Sequence, residues 1–488
     1  MTRRILVPIA ALAVFVGAVA ITVHLTAFPV AKNAHSKFMG DFKAFYCAGR
    51  VRLEGQNPYD AAPIAACEQA PAPAPLFVIA RGEVLPAPLP GYLVAAFVPF
   101  GALPFAFAVA LWLVLLFAAF AGAVALLRRL QVGDPWTLLV AFSIALMGLC
   151  VPVGELPPIA LFGIALAAFG AMRDRPGLLG CGVAIAMCEP QIGIAVAIAC
   201  AALSRRFAIA AGVALGGLAL LSFATLGIGG NVAYVRDVLP AHVLSELPSV
   251  LQYGLSWVLY GLGVPSGPAV TLGRLQWIVM LAVALFVARS PFGRRNPAFA
   301  VLAAPAIVVV GGPFLHLDHI ALALPAALWL CARRERARAW NLAAAICLAL
   351  PLLFIFALTT LLAWIPIVAA WLGMAYTRRG IVALRAAAAA LVVMVAIALA
   401  TLKTGLGSET LPQLQGLSAS LAQTPWSAYV RSHLVYTAWT IWLVKAPTWF
   451  GVLATAAALL GAAVATPVDD ADGADVAPGE RGRKIPTR

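Results

Sequence analysis

Apolar runs recur along the whole of this chain, and they constrain its fold more than any other feature. Each is about 18 to 24 residues, enough to cross a hydrocarbon core about 30 Å thick as a helix rising about 1.5 Å per residue. In lipid every backbone N–H and C=O must be satisfied within the chain, which leaves helices as the spanning element. Hydrophobic residues make up 63% of the 488 and charged residues 11%, against about 45–50% and about 25% in an average soluble domain. A water-soluble fold has nowhere to hide that much apolar surface. The first run, from Ile5 to Phe28, exceeds the roughly 7–15 residues of a secretory signal core and reads as a retained span.

The expected class is therefore an all-α polytopic integral membrane protein with about 12–14 transmembrane helices. Spans are expected near 5–28, 104–127, 136–152, 156–171, 178–188, 191–204, 207–228, 268–288, 297–312, 315–332, 340–357, 359–376, 384–402 and 447–466. Two of these, 178–188 and 191–204, are short and flank Glu189-Pro190-Gln191. A broken hairpin is expected there, because irregular backbone at membrane depth survives only where protein or a wet cavity surrounds it. The Pro-bounded segment 89–103 reads as a short re-entrant or interfacial helix.

The net charge of +14 does not point to nucleic acid, since Lys and Arg are scattered in pairs between apolar runs and form no single basic face. With Arg3 and Arg4 in the cytoplasm, counting crossings places 22 of the 33 Lys/Arg inside and 11 outside. That is the positive-inside bias. It puts both termini in the cytoplasm and places three longer segments, 29–88, 229–267 and 403–446, together on the other face. The tail 467–488 opens Asp/Gly/Ala-rich, ends basic, and reads as disordered. Of eight cysteines only Cys47 and Cys67 fall in an exported loop. They either pair, if that compartment oxidises thiols, or stand as two free thiols.

Chemistry has few places to reside. Asp41 lies some dozen residues beyond the first span, where an acid is both near the membrane and reachable by water. Phe42, Phe45, Tyr46 and Gly49 fit one face of a short helix, and Asn57-Pro58-Tyr59-Asp60 reads as a turn. On its residue type alone Asp41 reads as an N-cap of that helix. Arg50, Arg236 and Arg274 are the external arginines available to a phosphate; the plainer reading of each is interfacial snorkelling. His316, Asp318 and His319 open a late span, and polar groups so placed are costly unless paired or wet. They orient a substrate or form a structural cap. The H-x-D-H spacing lacks the i, i+4 pairing of helix-borne metal ligands, so no metal is expected.

The string DFKAFYCAGRVRLEGQNPYD, residues 41–60, resembles the first-loop signature of glycosyltransferase family 87, a GT-C group of polyprenyl-phosphate-dependent membrane enzymes. LPAPLPGYLVAAFVPFGALP resembles the family's Tyr-Pro-Pro segment with its tyrosine lost. PVGELPPIALFGIALAAF is similar to its Gly-Gln-x-Asn span with Glu155 in place of Gln, and CEPQIGIAVAIAC sits where the family has Lys-Pro-Gln, with Glu189 in place of Lys. FLHLDHIALALPAALWL resembles its His-rich late span. The resemblance runs in order over residues 5–335; nothing comparable is found from 340 onward.

The resemblance implies a GT-C-like core over 1–335, additional C-terminal helices over 336–466, and transfer of a hexose, commonly mannose, from a polyprenyl-phosphate sugar donor. The acceptor is a glycolipid or glycan on the non-cytoplasmic face, and the anomeric carbon inverts. Asp41 takes the general-base position; Arg50, Tyr46, Glu189, Gln191, His316, Asp318 and His319 are the implied substrate- and phosphate-binding residues. No cofactor and no nucleic acid are implied, and the lipid bilayer is the standing partner. The competing readings are a transporter or flippase using Glu155, Glu189 and Asp318 as intramembrane polar sites, and a catalytically silent relative.

Overall fold

The computed structural model describes residues 2–27, 38–70, 84–247, 249, 251–333, 338–351, 364–376 and 439–465. The expected span 384–402, the expected loop from 403 to 438 and the tail 467–488 lie outside the described residues.

Helices follow one another as α1 (Thr2–Ala27), α2 (Gly40–Leu53), α3 (Ala61–Glu68), α4 (Gly91–Gly101), α5 (Phe105–Arg129) and α6 (Pro135–Ala141). A π-helical turn, Ser143–Gly148, leads into α7 (Leu149–Val153), followed by α8 (Pro157–Met172), α9 (Pro176–Ala186), α10 (Pro190–Leu203) and α11 (Arg205–Ala233). After a second π turn, Tyr234–Val238, come α12 (Leu239–Glu246), α13 (Leu255–Gly261), α14 (Ser266–Arg289), α15 (Pro291–Arg295) and α16 (Pro297–Val308). The series closes with α17 (Leu317–Ile320), α18 (Leu324–Arg333), α19 (Arg338–Ala349), α20 (Trp364–Tyr376) and α21 (Trp439–Val464). Among the described residues the only β pairing is an isolated bridge between Gln252 and His316.

Many of these starts are written in the sequence. Proline stands at the first turn of α6, α8, α9, α10, α15 and α16, where its missing N–H costs nothing and its fixed φ suits the helix. Asp134 caps α6 through the Trp136 and Thr137 amides, and Ser204 caps α11 through the Phe207 amide. The end expected near residue 228 is a kink at Gly227, whose φ of 67° lies in the left-handed region.

Five helices among the described residues are long and apolar enough to cross a membrane, or six if the bent pair over 135–153 counts as one. Seven further apolar helices are only 10–17 residues long. The chain is a multi-pass α-helical membrane protein. Six of those short helices fall on expected spans, at 156–171, 178–188, 191–204, 297–312, 340–357 and 359–376. Long and short helices differ in their surroundings. Leu220, Val213 and Ile209 of α11 and Val114 and Phe107 of α5 are exposed, as suits a lipid-facing surface, whereas α8, α10 and α16 are buried nearly all round.

The short helix α2 is drawn into this core. Phe42, Phe45, Tyr46 and Gly49 are buried, as their spacing predicts. Phe42 stacks on Trp112 with ring centroids 5.3 Å apart. Gly49 lies under α4 so closely that a Cβ there would sit 2.2 Å from the Phe97 carbonyl oxygen.

Candidate active site

Asp41 enters the core at the start of α2. The residue before that helix, Met39, is left-handed at φ 56°, and its amide donates to the Pro152 carbonyl at 2.7 Å, tying α2 to the end of α7. Met39 is thus the N-cap, and the expectation that Asp41 caps the helix is corrected. Asp41 sits one residue into the first turn, half-buried, where the positive end of the helix dipole favours an anion.

The next acid comes from the turn after α7. Gly154, at φ 88°, passes so near α2 that a Cβ would lie 2.5 Å from the Phe42 Cβ, and its carbonyl accepts from the Trp112 indole at 2.9 Å. Only glycine meets both demands, and it delivers Glu155 next to Asp41. Burial first, then the charges of Asp41, Asp318 and Glu189, push the Glu155 carboxyl well above the ordinary carboxylate range.

Two acid–histidine pairs complete the centre. Glu189 lies at the break between α9 and α10, as Glu189-Pro190-Gln191 predicts, and its Oε2 is 2.9 Å from His319 Nε2 and 3.1 Å from Gln191 Nε2. His319 Nδ1 accepts the His316 backbone amide at 3.0 Å. With Nδ1 taken up as an acceptor, Nε2 is the ring nitrogen left to donate to Glu189. His316 faces carboxylates through both nitrogens, Glu246 at 3.0 Å and Asp318 at 4.0 Å. An acid at position 189 is thus accommodated by a histidine donor.

The arrangement unites Asp41, Glu155, Glu189, Gln191, Asp318, His316 and His319. It leaves Tyr46 and Arg50 apart. Tyr46 donates to the Leu103 carbonyl at 2.9 Å, and Arg50 bonds Glu54 at 3.1 Å and the Tyr46 hydroxyl at 3.4 Å. Arg50 is nine residues from Asp41, about 14 Å along a helix. Arg236 pairs with its neighbour Asp237 at 2.9 Å, and Arg274 is exposed on α14. Among the described residues no three His, Cys, Asp or Glu side chains are grouped to hold a metal ion.

Beside this centre a recess of 610 Å³ opens, lined by Tyr92, Met187, Leu215, Ser222, Tyr234 and Arg236 among others. The Tyr92 hydroxyl donates to the Met187 carbonyl at 2.8 Å, two residues before Glu189. Cys47 of α2 and Cys67 of α3 form a disulfide, and the neighbouring Glu68 is buried, accepting the Leu85 amide at 2.9 Å. Burial pushes the Glu68 carboxyl up to about 8, against the opposing pull of the Leu85 amide and Lys43. The Lys43 ammonium is pushed down by the same burial.

Sequence reasoning missed Glu246, Gln252 and Tyr92 as partners in this region. Glu246 stands in no motif, and its role depends on α12 folding back over His316, which periodicity does not reveal.

Neither the curated proteins nor the solved structures contain a match to the chain. The family-level comparison does return one, over 90–317; it takes in Glu155, Glu189 and His316, while the 41–60 string with Asp41 lies upstream of it. Residues 90–317 match the model of glycosyltransferase family 87, and the apolar helices of the chain agree with a membrane glycosyltransferase of that kind.

Proposed function

We propose that the protein moves a hexose, mannose in first place, from a polyprenyl-phosphate carrier to an acceptor hydroxyl on a glycolipid or glycan, with inversion, at the non-cytoplasmic face of a bacterial inner membrane. The observation that carries this reading is the convergence of Asp41, Glu155, Glu189 and Asp318 beside a mainly apolar recess. Of these acids Glu189 is engaged by His319 and Gln191, and burial pushes the Glu155 carboxyl upward. Asp41, half-buried in the first turn of α2, is the acid assigned to meet an acceptor, with the positive end of the helix dipole beside it. It accepts the hydroxyl proton as the oxygen attacks the anomeric carbon opposite the departing phosphate. The recess suits an isoprenoid chain, and Arg236 on its wall suits the phosphate. His316 and His319 hold the acids in place and take no covalent part.

The test is incubation of the purified protein with radiolabelled polyprenyl-phosphate mannose and candidate glycolipid acceptors. Label transferred to acceptor is the expected result. Uptake of the lipid into vesicles without transfer would replace this reading with the transporter.

A further inference from the structure

We infer that Lys445 of α21 is a positioning residue, which locks the segment 251–254 against 314–316 and thereby sets the two histidines. The catalytic consequence rests on the proposed transfer reaction; the geometry does not. Lys445 is fully buried at the start of an apolar span. An ammonium there is costly unless it is satisfied. Its Nζ donates to the Gln252 carbonyl and lies 3.5 Å from the centre of the Trp257 ring and 4.6 Å from that of Tyr253, so a carbonyl and two π faces replace water. Trp449, four residues on along the same helix face, donates its indole N–H to the Tyr253 carbonyl at 3.2 Å. Trp442 packs on Trp257 with centroids 5.1 Å apart. A long side chain so enclosed has one place to go, and the segment it holds is fixed with it.

That segment is joined directly to the site. Gln252 Oε1 accepts the Leu315 amide at 2.9 Å, and the Tyr253 amide donates to the Leu315 carbonyl at 2.8 Å. The backbone bond belongs to the one bridge among the described residues, Gln252 to His316, and the Gln252 side chain adds to it. From there His316 reaches Glu246 through its ring and His319 through its amide, and His319 reaches Glu189. The chain of contacts from Lys445 to Glu189 is unbroken, and α21 lies beyond residue 317, where the family match ends.

The experiment compares hydrogen–deuterium exchange and transfer kinetics of the full-length protein with those of K445M, K445R and W449F, all in lipid nanodiscs. Methionine fills similar volume without a donor. In K445M, exchange over 251–257 and 314–320 should rise about tenfold or more while α8 to α10 stay protected. Its kcat should fall about tenfold, with KM for donor changed less than about twofold. K445R, which keeps a cationic donor, should restore most of both. Should K445M fail to fold, W449F should raise exchange in the same two segments a few-fold. Unchanged exchange there in the folded variant, or a rise spread evenly over the molecule, would overturn the inference. Absence of transfer in the wild type would overturn the proposed function alone, because the exchange readout does not need turnover.

Discussion

The long helices and the short ones of this protein are made by different physics. α5, α11 and α14 are apolar on nearly every face, with exposed Val114, Leu220 and Ile278 meeting lipid, and a great many sequences would serve as well. The short pieces α2, α4, α17 and the α9–α10 break carry the ionisable side chains, and each is held by particular contacts: Gly49 under Phe97, Gly154 against Phe42, His319 on Glu189. The bilayer tolerates variation in the first class and punishes it in the second.

The sharpest contrast is expected from His319→Ala. It strips Glu189 of its ring donor in the buried centre, and breaking such a pair from one side costs about 3–5 kcal/mol. Unfolding titrations in mixed micelles read the loss; a shift under about 1 kcal/mol would show that water or Gln191 serves Glu189 equally well. Next comes the disulfide. Cys47 and Cys67 are 20 residues apart, and removing a cross-link over a loop of that size costs about 3 kcal/mol in the chain-entropy account. Cys47→Ser should lower the midpoint, and an unchanged midpoint would mean that α2 and α3 are held by packing alone.

A smaller effect is expected with pH at Glu68. Its folded carboxyl titrates at about 8 instead of the ordinary 4.5, so between those values the folded state keeps a proton that the unfolded state releases. Stability therefore falls as pH rises through that window and levels off above it. The Leu85 amide and Lys43 offset part of the burial cost, which limits the slope. Melting curves at pH 5, 6.5 and 8 should show the fall in wild type and lose it in Glu68→Gln. The smallest effect belongs to the lipid face: Leu220→Ala on α11, a residue 73% exposed, should stay within about 0.5 kcal/mol of wild type. A larger loss would mean that α11 packs on a partner at that surface.

Much of the first class was legible in the sequence. Apolar length marks α1, α5, α11, α14 and α21, and Pro or a capping side chain marks where α6, α9, α10 and α11 begin. Part of the second class was legible too, since Glu189-Pro190-Gln191 announces a break and the Phe42, Phe45, Tyr46, Gly49 spacing announces a buried helix face. Position within the site was not. Asp41 reads as a cap because acids often are caps, yet the turn into α2 is made by Met39 in a left-handed conformation that depends on its bond to Pro152. Arg50 and Tyr46 stand in the 41–60 string that resembles the family signature but bond outward, to Glu54 and Leu103. Glu246 and Lys445 act through distant segments, and no local pattern encodes such a meeting.

The measurement that bears most directly on the central claim is sugar transfer by Asp41→Asn beside Asp60→Asn. Asp60 lies in the same segment but accepts from Asn57 within its turn at 2.7 Å. Asparagine keeps the shape of Asp41 and cannot take a proton, so transfer should fall by about 10² to 10⁴, as for loss of a positioned base, with donor binding and folding retained. Asp60→Asn should keep most of the activity. Near wild-type transfer by Asp41→Asn, or a dead Asp60→Asn, would contradict the assignment of the base.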